Sequence, residues 1–186
     1  MPNNQSSVHS AALPEEASIF GLYRSTDLAD AYIVRMPDDA TGDPERLARH
    51  VFEQPATWID TLMGLRDTLV AGLGIKTASG MRAESDAAAH ERIGMFRIYA
   101  KSANEIVLGE DDKHLDFRIS VLRQMRTISS GPAPYLIVST VVSCHNVLGR
   151  LYLNAVGPVH RVIFPAMLRR AADAGWPLST TPVHGE

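Results

Sequence analysis

The chain has a single cysteine, Cys144, so no intrachain disulfide can form. That fits a reducing compartment. No apolar run approaches the roughly 18 residues needed to cross a bilayer as a helix. Neither sign of charge dominates: 18 Lys and Arg stand against 21 Asp and Glu, for a formal net charge of -3. Such a balance gives no electrostatic reason to expect a nucleic-acid partner. The first residues, Met1 to Phe20, are polar and lack a basic stretch followed by an apolar core, which is neither a signal nor a transit peptide pattern. The expectation is a cytoplasmic protein with no membrane span. The chain also lacks a GxGxxG loop, a P-loop, a GxSxG elbow and a CxxC pair. Those absences argue against a self-contained dinucleotide oxidoreductase, NTPase or serine hydrolase, and no cofactor is expected.

What is present is ordinary globular material: 186 residues, 45% hydrophobic and 21% charged, enough for one domain with a real core. Residues 1–18 carry few apolar anchors and read as mobile, within a flexible segment taken as 1–25. Ala31 to Met36 is short and β-prone. Asp43-Pro44-Glu45 has the chemistry of a helix start: a side-chain cap, a proline suited to the first turn and an acid at the positive end of the dipole. That helix should reach about Phe52. A second is predicted from Thr57, with Trp58, Leu62, Leu65, Leu69 and Leu73 on one face and Gly74 as its stop. Residues 77–92 are weakly patterned.

From Gly94 the period changes from helical to strand-like. Met95 to Lys101 and Glu105 to Leu108 read as strands, and 109–113 as a polar turn. From His114 to Met125, Leu115, Phe117, Ile119 and Val121 alternate with His114, Asp116, Arg118 and Ser120, the period of a half-buried strand. A loop is predicted over 129–134 and another strand from Tyr135 to Cys144. The short connections favour an antiparallel meander. Apolar residues then recur at helical spacing from about Asn146 to Asp173, with Asn146 as the cap and Gly175 as the stop. Pro158 and Pro165 interrupt that pattern, so a kink or a broken join is expected near Gly157-Pro158. The competing reading is a strand from Arg150 to Val156 followed by a helix starting at Pro158.

Three groups of residues could carry chemistry. His114, Asp116 and Arg118 share one parity, and could bind an anion or move a proton; the plainer alternative is a solvated face with a surface ion pair. His145 and Asn146, followed by Arg150 and Tyr152, sit at a strand-to-helix junction where side chains can converge on a pocket mouth. The alternative there is a cap, a surface arginine and a core tyrosine. His160 follows Pro158 in an apolar stretch and is expected to bond a backbone carbonyl freed by that proline. His114, His145, His160 and Asp116 are suitable metal ligands, but no two have tight ligand spacing, so no metal site is expected. Cys144 reads as a buried structural thiol, and Arg169-Arg170 as a solvated, dipole-matched helix end.

Two motifs carry a family resemblance. They are Leu108-Gly109-Glu110-Asp111-Asp112-Lys113-His114-Leu115-Asp116-Phe117-Arg118, and His145-Asn146-x-x-Gly149-Arg150-x-Tyr152 followed by Pro158-x-His160. Together with Trp58 and Leu65-Arg66-Asp67, they resemble a bacterial family called domain of unknown function 2867, over about residues 28–172. Leu153 stands where an aromatic is expected, and Val159 where Phe is. The family is placed among START-like (polyketide cyclase/lipid-transport-like, SRPBCC) proteins. The resemblance implies an α+β helix-grip fold over residues 26–176, followed by a tail over 177–186. In such folds a curved antiparallel sheet grips a long C-terminal helix, and the space between them often holds an apolar ligand.

Two functions follow as expectations. The first is a binding protein for a small apolar or aromatic ligand, with residues such as His145, Asn146, Arg150, Tyr152 and His160 at its polar end. The second is a cofactor-free cyclase, dehydratase or isomerase, in which His114, oriented by Asp116, shuttles a proton while Arg118 stabilises an oxyanion. The second requires that trio to face the space between sheet and helix. A homodimer is left open.

Overall fold

The computed structural model describes residues 7–53 and 91–179. Its centre is one seven-stranded antiparallel sheet in the order β1-β2-β7-β6-β5-β4-β3. The strands are β1 His9–Ala11, β2 Leu28–Arg35, β3 Arg92–Ile93, β4 Phe96–Lys101, β5 Glu105–Asp111, β6 Leu115–Ile128 and β7 Gly131–Cys144. Two helices lie among the described residues, α1 Pro44–Phe52 and α2 Val147–Asp173. The first long strand pairs with the last, β2 with β7, and the rest follow as a meander. This is an α+β, helix-grip-like arrangement, a curved sheet with a long closing helix. The helix predicted from Thr57, the segment 77–90, and the Trp58 and Leu65-Arg66-Asp67 matches lie outside the described residues.

Both helices form where their capping chemistry stands. Asp43 accepts from the backbone N–H of Glu45 at 2.9 Å, and Pro44 occupies the first turn. Glu45 and Glu53 both bond Arg49 one turn away. For α2, Asn146 accepts from the N–H of Gly149 at 3.0 Å. The helix then runs unbroken through Pro158 and Pro165 for 27 residues, roughly 40 Å at the α-helical rise. The strand-then-helix alternative for this segment is therefore set aside. Packing on the sheet and on α1 holds the helix together where proline removes backbone donors: Ile163, Phe164, Leu168 and Ala171 are all buried. His50 on α1 donates from Nε2 to the carbonyl of Ala171 at 2.8 Å, which secures the far end.

The sheet has two differently covered faces. On the inner face, Tyr32, Val34, Ile106, Leu108, Ile119, Val121, Leu136 and Val138 join Leu47, Val51, Ile163, Phe164 and Leu168 in the main core. On the outer face, Val107, Leu122 and Val141 are covered by Ala17, Ile19, Leu13 and Tyr23. For the described part of the stretch read as flexible over 1–25, residues 7–25, this is a correction. His9–Ala11 pairs with β2, and Ile19 is only 1% exposed. The few apolar residues of this stretch fall where the outer face needs covering, so position outweighs their small number.

Two boundaries also shift. The polar turn expected over 109–113 is largely strand, because β5 continues to Asp111. The loop expected over 129–134 shrinks to the turn at Ser129 and Ser130, and β7 includes Pro132 and Pro134. Those prolines are tolerated because β2 ends at Arg35. Beyond Met36, whose N–H bonds the Pro134 carbonyl, no strand among the described residues continues along that side of β7 and requires a donor. The tail assigned from 177 is anchored at its start: Leu178 bridges Ala40, and Thr41 donates to the carbonyl of Pro177.

Candidate functional site

The strand parity divides the predicted site residues between the two faces. Leu115, Phe117, Ile119 and Val121 turn inward, so Asp116 and Arg118 lie on the outer face, away from α2. Arg118 donates to Asp111 at 2.7 Å and to the carbonyl of Phe117. It also stacks on the Tyr99 ring at 3.5 Å. Burial works against ionisation of Asp111, but hydrogen bonds from Arg118 and Tyr99 outweigh it and hold the carboxyl below its ordinary range. Burial, followed by the Asp111 hydrogen bond, pushes the Tyr99 phenol up to about 12. Asp116 accepts from His145 Nε2 at 3.0 Å, a pair with 25% and 40% side-chain exposure.

His114 stands in the turn before β6 rather than on the strand. Its Nδ1 is 3.1 Å from Asn146 Nδ2. Because Asn146 Oδ1 caps Gly149 and Nδ2 also reaches the carbonyl of Lys113, the amide is oriented to donate to that ring nitrogen. His114 thus supports the α2 cap, and His114, Asp116 and Arg118 do not converge on one chemical centre.

The junction explains the glycines of the two motifs. A Cβ on Gly149 would run into the His114 carbonyl, and one on Gly109 into the carbonyl of Phe117. At the first, α2 begins close against the turn. At the second, the cross-strand Arg118 side chain lies flat over the sheet. Arg150 reaches Asp27 Oδ1 at 3.4 Å from an exposed position, while the other oxygen of Asp27 accepts from the N–H of Cys144. Tyr152 is buried against Leu115, Val142 and Cys144. Burial, followed by the Asp27 charge, pushes the Cys144 thiol up to about 11, so the group stays protonated and suits packing rather than nucleophilic attack.

The inner face holds a different group. His160, on α2, places Nδ1 3.1 Å from Asp30 Oδ2 on β2, and both side chains are largely buried. The partner is a carboxylate 130 residues away, not the freed backbone carbonyl expected from the sequence. The other oxygen, Asp30 Oδ1, is buried without a hydrogen-bond partner, and so is Thr140 Oγ1. Asp30 and Thr140 are direct cross-strand neighbours in the β2–β7 register, with side chains on the same face.

Aromatic rings extend the group across the inner face. The ring of Phe164 lies 4.0 Å from that of His160. Phe52 contacts both Phe164 and Phe96, and Phe96 contacts Phe117. Phe52, Phe96 and Phe117 are only partly buried although packed on the core.

Of the predicted site residues, only His160 faces this inner group. Asp30 and Thr140 were missed. The one available signal was an acid and a hydroxyl on the inward parity of otherwise apolar strands. On the outer face, the hydroxyls of Ser139 and Tyr23 are also buried without a partner, but neither sits beside a half-satisfied carboxylate on its register partner. Among the described residues no three His, Cys, Asp or Glu side chains gather in a metal-binding group, and no helix is long and apolar enough to cross a membrane.

No curated protein and no solved structure matches the chain. A family model does match, over residues 22–167, and takes in both motifs, the two glycine contacts, Asp30, Thr140 and His160. The chain belongs to the family described as Protein of unknown function (DUF2867).

Proposed function

We propose that this protein binds a small apolar or aromatic molecule between the inner face of the sheet and α2, as START-like proteins hold ligands. The observation that carries the reading is the Asp30–His160–Thr140 group at one end of a run of half-buried aromatic rings. An interior serving only stability satisfies its buried polar atoms, because each one left unmade costs about 1–3 kcal/mol. Here two such atoms belong to direct cross-strand partners, and His160, which bonds Asp30, lies against the Phe164 ring. That is the composition of a ligand site: mostly apolar walls with a few convergent polar groups.

Titration with Prodan, a neutral naphthalene fluorophore, tests this. The expected result is blue-shifted emission that saturates at one site per chain and is lost when Phe164→Arg places a charge among the rings. Emission that rises without saturating, or is unchanged in a folded Phe164→Arg protein, would contradict the reading.

A further inference from the structure

The hydrogen-bonding pattern of the inner group specifies more than an apolar ligand. Asp30 Oδ2 is engaged by His160 Nδ1, which leaves Oδ1 as a buried acceptor. Thr140 Oγ1 is a buried hydroxyl with both a proton and lone pairs to offer, and Thr140 is 2% exposed. The two residues are direct partners across β2 and β7, with both side chains on the inner face.

We infer that the ligand's polar end is a hydroxyl, an alcohol or a phenol, which donates to Asp30 Oδ1 and accepts from Thr140 Oγ1. This rests on the binding reading above and adds the chemical class. A ligand carboxylate or phosphate is disfavoured, because it brings a negative charge beside Asp30 in a poorly solvated place and has no proton to donate. A ketone or ether satisfies Thr140 but leaves Asp30 Oδ1 unmade. A plain hydrocarbon leaves both. A hydroxyl, which donates and accepts at one oxygen, completes the pattern, and sites built to bond a substrate hydroxyl reject analogues lacking it. The rings from Phe164 to Phe117 supply the apolar wall for the rest of the molecule.

Three ligands of one shape test the inference: β-naphthol, β-methylnaphthalene and β-naphthoate, each titrated calorimetrically into the full chain. β-Naphthol is expected to bind at least tenfold more tightly than either of the others. Thr140→Val, which keeps the shape and removes the hydroxyl, should abolish the advantage over β-methylnaphthalene, and Thr140→Ser should retain it. Asp30→Asn removes the charge and should narrow the gap between β-naphthol and β-naphthoate. Equal binding of β-naphthol and β-methylnaphthalene by a protein that saturates with Prodan would overturn the hydroxyl assignment alone. A protein that does not saturate with Prodan overturns the binding reading, and this inference with it.

Discussion

Two enclosed carboxylates, Glu105 on the outer face of the sheet and Asp30 on the inner, are bonded in opposite ways. Glu105, on the outer face, is 7% exposed. It accepts from the Ser18 backbone N–H through both oxygens, at 3.0 and 3.1 Å, and from the Ser120 hydroxyl at 2.5 Å. Its bonds fasten the N-terminal segment across β5 and β6. Asp30, on the inner face, bonds His160 through one oxygen and leaves the other without a protein partner. The two His–Asp pairs repeat the contrast: His145–Asp116 is open to solvent, while His160–Asp30 is enclosed beside aromatic rings. Surface ion pairs of the first kind contribute little. The outer carboxylate closes a structural network, and the inner one retains unused bonding capacity.

Both faces depend on the turn that carries the chain from β7 into α2, so a clear net loss should follow from Gly149→Ala. The added methyl meets the His114 carbonyl, a backbone atom that cannot swing aside. Overpacking of this kind costs roughly 3 kcal/mol, more than the helix-propensity gain of about 1 kcal/mol from replacing glycine. Denaturant unfolding should show the net loss; an unchanged midpoint would mean that the junction is looser than the structure shows.

The contrast between the faces is sharpened by a pair of substitutions with opposite signs. Glu105→Ala leaves the Ser18 N–H and the Ser120 hydroxyl unmatched, and should destabilise by about 2 kcal/mol. Thr140→Val removes a buried hydroxyl that has no partner, and should stabilise the ligand-free protein by about 1 kcal/mol. Thermal melting reads both. If Thr140→Val destabilises as Glu105→Ala does, the inner face is a structural network like the outer one.

The smallest effect concerns pH. Asp111 is held below the ordinary carboxylate range in the folded chain, its bonds to Arg118 and Tyr99 outweighing burial. Its stabilising contribution is therefore fully present above about pH 4, the usual carboxylate value, and is lost as pH falls through the lower, folded value. Wild type should melt slightly above Asp111→Asn at neutral pH, and the gap should close in acid. A gap that persists at low pH would assign the effect to shape instead of charge.

Much of this architecture was legible in the sequence because it depends on local signals. Alternation from Leu115 to Val121 marked β6 and its inward face. Asn146, Gly175 and helical spacing marked α2, despite two prolines. Asp43-Pro44-Glu45 marked α1. The remainder depends on contacts between distant residues. Pro132 and Pro134 look like loop residues until β2 is seen to end beside them. The N-terminal segment looks too polar to fold until Ala17 and Ile19 meet Val107, Leu122 and Val141. The candidate site was the least legible part: His160 was singled out, but its partner Asp30 lies just before the predicted strand, and the β2–β7 register that brings Thr140 alongside leaves no mark on local periodicity. The trio His114, Asp116 and Arg118 was selected by parity, yet the same parity turns Asp116 and Arg118 away from α2.

Backbone amide NMR during titration with β-naphthol shows which face of the sheet binds. Binding on the inner face gives saturable shifts at Ala29 to Ala31, Ser139 to Val141 and Val159 to Phe164, with those of Asp116, Arg118 and His145 unmoved. Shifts confined to Asp116, Arg118 and His145, or none that saturate, would contradict it.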